Sequence, residues 1–137
     1  MPRVFTNGCF DLLHPGHIET LKFAHGVAWE GGAADNYCYP EVIVGLNSDR
    51  SVMELKGPER PIFDEQSRKT MLESIKYVDR VIIFQESTPY ELIKKINPDV
   101  IVKGGHYSGK TVVGEDLAEV TSSGVWQLYD KIKGPTV

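Results

Sequence analysis

The chain has 137 residues, room for one domain with a core that buries roughly two-thirds of the unfolded surface, so a single domain over residues 1–137 is expected rather than a two-domain enzyme. Hydrophobic residues at 41%, charged at 25% and aromatic at 9% match globular averages and exclude a disordered chain, while a net charge of −4 argues against nucleic acid as a partner. Two cysteines, Cys9 and Cys38, without CxxC spacing exclude a disulfide scaffold, and no apolar run approaches the roughly 18 residues of a membrane span, so a reduced, cytoplasmic chain with no leader is expected.

Apolar stretches recur between turn residues as alternating strands and helices. The first strand is predicted over residues 3–6. A helix over 15–26 follows, with Pro15 in its first turn, where no backbone donor is needed. Residues 28–40 hold Trp29, Tyr37 and Tyr39 without a clear period. They read as a long surface loop, or as an interaction segment, because large aromatics are enriched at interfaces. The β-branched run 41–46 is a strand covered on both faces, ended by Asn47-Ser48-Asp49. A helix capped by Asp64 is predicted over 64–77, then a strand over 80–84. Thr88-Pro89-Tyr90-Glu91 reads as a capping box opening a helix over 89–96, stopped by Asn97-Pro98. A strand over 99–103, a helix near 115–122 and a strand near 125–129 complete the expectation. The fold class is α/β: a single Rossmann-like, doubly wound, five-stranded parallel sheet with helices on both faces.

The segment Thr6-Asn7-Gly8-Cys9-Phe10-Asp11-Leu12-Leu13-His14-Pro15-Gly16-His17 joins the end of the first strand to the start of a helix. Ligands of open α/β sheets bind beyond the carboxyl ends of the strands, and a helix start offers unpaired N–H groups with partial positive charge. His14 and His17, three apart, can face one ligand, and Gly16 removes the side chain between them, so the arrangement suits a polyphosphate. Each histidine alone also fits an ordinary surface or core residue, and the pair without an acidic or cysteine neighbour is a weak zinc signal. Gly104-Gly105-His106-Tyr107-Ser108-Gly109-Lys110-Thr111 satisfies the P-loop pattern, which would make the protein a phosphotransferase dependent on Lys110. A P-loop needs a helix opening at the Lys-Thr pair, and Thr111-Val112-Val113-Gly114 is a poor helix start.

Gly8-Cys9-Phe10-Asp11 followed by His14-Pro15-Gly16-His17 resembles the G-x-F-D and H-x-G-H signatures of the small nucleotidyltransferases of the cytidylyltransferase-like superfamily. Leu55-Lys56-Gly57-Pro58-Glu59-Arg60-Pro61-Ile62, Thr88-Pro89 and Pro98-Asp99-Val100-Ile101-Val102-Lys103-Gly104-Gly105-His106-Tyr107 resemble the heptose 1-phosphate adenylyltransferases that make ADP-heptose. Glycerol-3-phosphate cytidylyltransferases share the histidine motif and the neighbourhood of Arg68 and Tyr77-Val78-Asp79. The sequence departs from the adenylyltransferase pattern at His106, where aspartate is usual, and Thr136 is a partial counterpart of a C-terminal Ser-Thr-Thr signature.

The resemblance implies transfer of AMP from ATP to a sugar 1-phosphate, heptose 1-phosphate above others, with release of pyrophosphate and with Mg²⁺ on the triphosphate. A CTP-dependent glycerol-3-phosphate enzyme and a non-catalytic nucleotide-binding module are the alternatives. Under the resemblance, His14, His17 and Lys56 are catalytic, Lys56 lying in a loop that can close on phosphates; a solvated surface lysine is its plainer reading. Asn7, Gly8, Cys9, Phe10, Gly16, Lys103, Gly104, Gly105 and His106 hold the nucleotide. Cys9 serves by backbone placement, and the glycines ending the fourth strand let a nucleotide lie close to the main chain. Asp11, Asp49 and Arg68 hold the acceptor. Their structural alternatives are a cap at the helix start for Asp11, a turn aspartate for Asp49 and a salt bridge for Arg68. Homodimers are usual among such relatives, a contact that the aromatic segment could serve.

Overall fold

Strand β1 (Arg3–Gly8) lies at the centre of the sheet because its residues are apolar on both faces: Val4 and Phe5 point to opposite sides and both are buried. The computed structural model describes residues 3–32, 40–104 and 111–122. After β1 come α1 (Pro15–Gly32), β2 (Glu41–Asn47), α2 (Asp49–Lys56), α3 (Glu65–Glu73), β3 (Arg80–Phe84), α4 (Tyr90–Ile96), β4 (Val100–Lys103) and β5 (Glu119–Ser122). The five strands are all parallel, in the order β3-β2-β1-β4-β5. Val4, Val42 and Val102 pack against Ala24 and Ala28 of α1, and Val44 and Leu46 against Leu21 and Leu72 of α1 and α3. Phe5, Ile43 and Ile101 face the other way, onto Ile93 and Ile96 of α4. Helices therefore cover both faces, as the doubly wound reading expects. The order of strands reverses between β1 and β4, and in open α/β sheets ligands bind beyond the carboxyl ends of the strands at such a point.

Several elements differ from the sequence reading. Helix α1 runs past Gly26 to Gly32, because Ala28 buries one turn beyond Ala24 on the same strands and so holds the helix through the glycine. The first part of the 28–40 segment is thus helical, with Trp29 about half exposed; Tyr37 and Tyr39 lie outside the described residues. Helix α2 occupies residues read as a strand end and a loop. Its signal is Ser48, whose hydroxyl accepts from Ser51 N–H at 3.1 Å, with Asp49 in the first turn and Lys56 in the last, matching the helix dipole. Helix α3 has Asp64 as its cap, as expected, but ends at Glu73, where the Ser74 hydroxyl donates to the Thr70 carbonyl at 2.8 Å. At α4, Pro89 sits in the cap position and no side chain caps, so the Thr88 capping box does not form; Asn97 ends the helix with φ +55°.

The helix expected near 115–122 is instead a turn followed by β5. Val120 and Thr121 pair with Ile101 and Val102, and pairing of β-branched residues with a buried strand overrides the weak helical pattern. The strand expected near 125–129 lies outside the described residues. Among the described residues no helix is long and apolar enough to cross a membrane.

Gly114 leads into β5 with φ +89°, and a Cβ there would stand 2.9 Å from Cδ1 of Ile93 and 3.0 Å from Cδ1 of Ile101. Gly114→Ala combines left-handed strain with overpacking, and it should destabilise the fold by about 1–3 kcal/mol. Urea unfolding checks this as a lower midpoint at unchanged slope.

Candidate active site

Between β1 and α1 the backbone turns through two left-handed residues that are not glycine, Phe10 at φ +46° and Leu12 at φ +67°. Each costs about 1–2 kcal/mol against ordinary backbone, so the turn must be held by its surroundings. Phe10 is held by burial among Leu21, Val44, Leu46 and Leu72. Leu12 is 49% exposed and gains no such support. Asp11, between them, supplies the anchor. Its carboxylate is fully buried; Oδ2 accepts from Arg60 Nε and Ile62 N–H, both at 2.8 Å, and Oδ1 accepts from Phe63 N–H at 3.1 Å. Burial alone would raise its pKa, but the backbone donors of Ile62 and Phe63, with Arg60, outweigh that and hold the carboxyl below its usual range.

The two histidines cap α1 reciprocally. The His14 carbonyl accepts from His17 N–H at 3.0 Å, which makes His14 the cap residue. Its Nδ1 accepts from Gly16 N–H at 3.0 Å, and Nδ1 of His17 reaches back to accept from His14 N–H at 3.1 Å. This is the logic of a capping box with imidazoles in place of hydroxyl and carboxylate. The rings stack with centroids 3.9 Å apart and planes 24° off parallel, and Phe10 lies 5.2 Å from His17. An Nδ1 that accepts carries no proton, so in each neutral ring the hydrogen sits on Nε2, which becomes a donor. Gly16, buried in the first turn, uses its N–H inside this cap.

Behind the turn lies Arg68, fully buried on α3. Its Nη1 donates to the carbonyls of Cys9 and Asn47, both at 2.8 Å, its Nε to the Phe63 carbonyl at 2.9 Å, and its Nη2 to Asp49 Oδ1 at 2.8 Å. Arg68 and Asp49, expected at the acceptor, are thus bound to each other and to the backbone. Asp11, likewise expected at the acceptor, has its oxygens bound to the 60–63 segment rather than capping α1. The Cys9 carbonyl accepts from Arg68. Its buried thiol is pushed up by burial against the pull of Lys56, Arg68 and Arg60, so those three cations all lie near it. Lys56 is the last residue of α2 rather than a loop residue; Gly57, at φ +109°, ends the helix after it.

On the other side of β1, strand β4 ends at Lys103 and Gly104, both half-buried, and burial pushes the Lys103 amine down. Asn7 and Gly8 end β1 beside them, at the point where the strand order reverses. Gly105 and His106 lie outside the described residues, as does most of the P-loop pattern; no helix opens at Thr111. The structure therefore gathers His14, His17, Asn7, Gly8, Cys9, Phe10, Gly16, Lys103 and Gly104 at one edge, with Lys56 flanking. The role of Arg60 at that edge was not legible in the sequence. Its neighbour Pro61, joined to it by a cis peptide bond, is the only local mark of an unusual turn.

Residues 5–123 match the family model described as cytidylyltransferase-like. The chain is 51% identical over 116 residues to the bifunctional protein HldE of Wolinella succinogenes, covering 85% of this chain and 22% of that protein. It is 46% identical over 130 residues to HldE of Bradyrhizobium diazoefficiens, covering 95% of this chain and 24% of that one. The chain thus spans less than a quarter of the length of these relatives. The crystal structure of the lipopolysaccharide core biosynthesis protein from Thermoplasma volcanium superposes with a TM-score of 0.68 at 27% identity, covering 89% of this chain and 95% of that chain.

Removing the Arg68 guanidinium strands two buried carbonyls and a part-buried one, so Arg68→Met should cost about 3–5 kcal/mol. Asp49→Ala, at a carboxylate 41% exposed, should cost under about 1 kcal/mol. Equal losses in denaturant unfolding would show that the ion pair, not the carbonyl bonds, is what matters. Asp11 contributes a pH signature as well. Its folded pKa is depressed, so its stabilisation is complete above the ordinary carboxyl value and is lost as pH falls through the lower folded one. Asp11→Asn should therefore flatten the fall of stability below about pH 4, as read by acid titration of the melting temperature.

Proposed function

The chain belongs to the cytidylyltransferase-like family, and on that footing we propose that it is an adenylyltransferase that transfers AMP from ATP to a sugar 1-phosphate of the heptose type and releases pyrophosphate. The observation that carries this reading is the reciprocal cap, which sets two imidazole Nε2 donors at a helix start beside the point between β1 and β4 where the strand order reverses. The choice of acceptor rests on the motifs around Lys56 and Lys103, on the HldE relatives, and on the likeness to a lipopolysaccharide core biosynthesis protein of solved structure.

An acceptor phosphate is already anionic near neutral pH, its second pKa being about 6, so the site needs no strong general base. One of its oxygens forms a bond to the α-phosphorus while the bond from that phosphorus to the bridging oxygen of the β-phosphate breaks, and pyrophosphate takes the electron pair. The work left to the protein is alignment and stabilisation of charge on the equatorial and leaving oxygens. His14 and His17, each with Nδ1 bound to backbone, have their ring orientation set by the fold before substrate arrives. The open turn of α1 adds its dipole. Lys103, with a depressed pKa, sits on the nucleotide side, and Lys56 faces from the other. Mg²⁺ enters with the triphosphate as part of the substrate, in keeping with Asp11 and Asp49, the two carboxylates nearest the turn, being bound to arginines.

The test is pyrophosphate release with Mg²⁺, offering ATP, CTP, GTP and UTP against heptose 1-phosphate, other sugar 1-phosphates and glycerol 3-phosphate. ATP with a sugar 1-phosphate should be the productive pair, and His17→Ala should lower its kcat about 10²- to 10³-fold. Release only with CTP and glycerol 3-phosphate would keep the family and overturn the substrate.

A further inference from the structure

The chain has five arginines, and four of them are accounted for by structure. Arg3 holds the Ile96 carbonyl at the start of β1, Arg50 pairs with Glu54 on an exposed helix face, Arg80 pairs with Glu41, and Arg68 is buried and bonded throughout. Arg60 differs. Its Nε is gripped at 2.8 Å by the fully buried Asp11, its side chain is 28% exposed, and its Nη1 and Nη2 groups make no hydrogen bond among the described residues.

A carboxylate and a guanidinium commonly pair through two parallel bonds. Asp11 does not offer that. Oδ1 is taken by Phe63 N–H and Oδ2 is shared with Ile62 N–H, so the carboxylate holds Arg60 by one N–H and leaves the four on Nη1 and Nη2. A guanidinium oriented by one edge and open on the other is prepared for a second planar or tetrahedral anion, and phosphate fits its spacing. Asp11 also lies three residues before His14, so the group that aims Arg60 belongs to the same turn as the histidines.

The side on which Arg60 stands selects the phosphate. The 60–63 segment is tied to the turn after β1 and, through Arg68, to the end of β2. Lys103 and Gly104 end β4, on the opposite flank of β1. In-line transfer places the attacking and leaving oxygens on opposite sides of the α-phosphorus. With the nucleotide on the β4 flank, the β2 flank is the acceptor's. We propose that Arg60 is a further substrate-binding residue, its Nη groups clasping the acceptor phosphate, and that Asp11 is the positioning residue that aims it. The inference rests on the nucleotidyltransferase reading above and moves the acceptor contact from Arg68 to Arg60.

Steady-state kinetics on the full chain test it, with pyrophosphate release followed while the sugar 1-phosphate and ATP are varied in turn. Arg60→Ala should raise KM for the sugar phosphate about 10- to 100-fold and leave KM for ATP within about threefold. Arg60→Lys, which keeps charge and fold but not the fork, should recover only part of that loss, and Arg50→Ala should change neither constant. Asp11→Asn should raise the same KM, besides lowering kcat through the histidine turn, and in the double variant Asp11→Asn with Arg60→Ala the acceptor KM should be no higher than in Arg60→Ala alone, since both remove one clasp. An unchanged acceptor KM in Arg60→Ala overturns the proposal; a rise confined to ATP overturns the assignment to the acceptor; additive effects overturn the positioning role of Asp11. Calorimetric titration of wild type and Arg60→Ala with heptose 1-phosphate separates this from failure of the activity. Wild-type binding weakened in the variant supports the clasp even if no pyrophosphate is released, whereas equal affinity, or no wild-type binding, sinks it.

Discussion

One buried guanidinium ties together the parts of the molecule that matter for chemistry. Arg68 draws the carbonyls of Cys9, Asn47 and Phe63 toward a single point, so that the ends of β1 and β2 and the segment between α2 and α3 share one hydrogen-bond centre. Beyond strand ends the backbone leaves its ladder, and its carbonyls must find other donors if they are buried. A single arginine, with five N–H groups on a rigid plane, satisfies three of them at once. Its charge is offset by Asp49, which keeps one edge in water, so the pair avoids the full desolvation penalty of two buried ions.

On that base the turn after β1 can hold strained backbone. Phe10 and Leu12 adopt left-handed conformations that ordinary side chains avoid, and Asp11 between them accepts three hydrogen bonds from a segment some fifty positions along the chain. Phe63 is gripped from both ends, its N–H by Asp11 and its carbonyl by Arg68. The strain delivers the chain to His14 at the angle where its ring can cap α1 and stack on His17. The histidines then serve twice: Nδ1 completes the helix start, and the remaining Nε2 is held in place because Nδ1 is committed. A hydroxyl and carboxylate could cap the helix equally well, but they would not carry a second ring nitrogen beyond the cap.

The architecture was legible in the sequence because strands buried on both faces read as apolar runs and the ends of α3 and α4 carry their own punctuation in Asp64 and Asn97. Helix α2 was hidden, since Val52 is its one buried apolar residue and Ser48 reads equally as a turn. The switch from helix to strand at 119–122 depends on β4 as a partner, which no local pattern contains. At the site, the spacing of His14, Gly16 and His17 pointed to the helix start, and the glycines after Lys103 to the neighbouring strand end. Side-chain partnerships were not visible in the same way. Asp11, Asp49, Arg60 and Arg68 are charged residues separated by up to 57 positions, and which carboxylate holds which arginine is settled only by packing.

That pairing divides the charges of the site into two kinds. Arg68 and Asp11 are enclosed and bonded to backbone, so changing either alters the shape of the turn, and stability and turnover must move together. Arg60 and Lys56 are only partly buried, but Arg60 is tied to the interior, since its loss leaves the buried Asp11 carboxylate without its cation. Under the proposed function, a change of phosphorylated acceptor would fall on these two cations while the histidine cap is left intact. The reciprocal cap holds the two stacked imidazole rings in one placement. Separation of this kind gives physical grounds for one fold to carry the same phosphoryl chemistry on different acceptors.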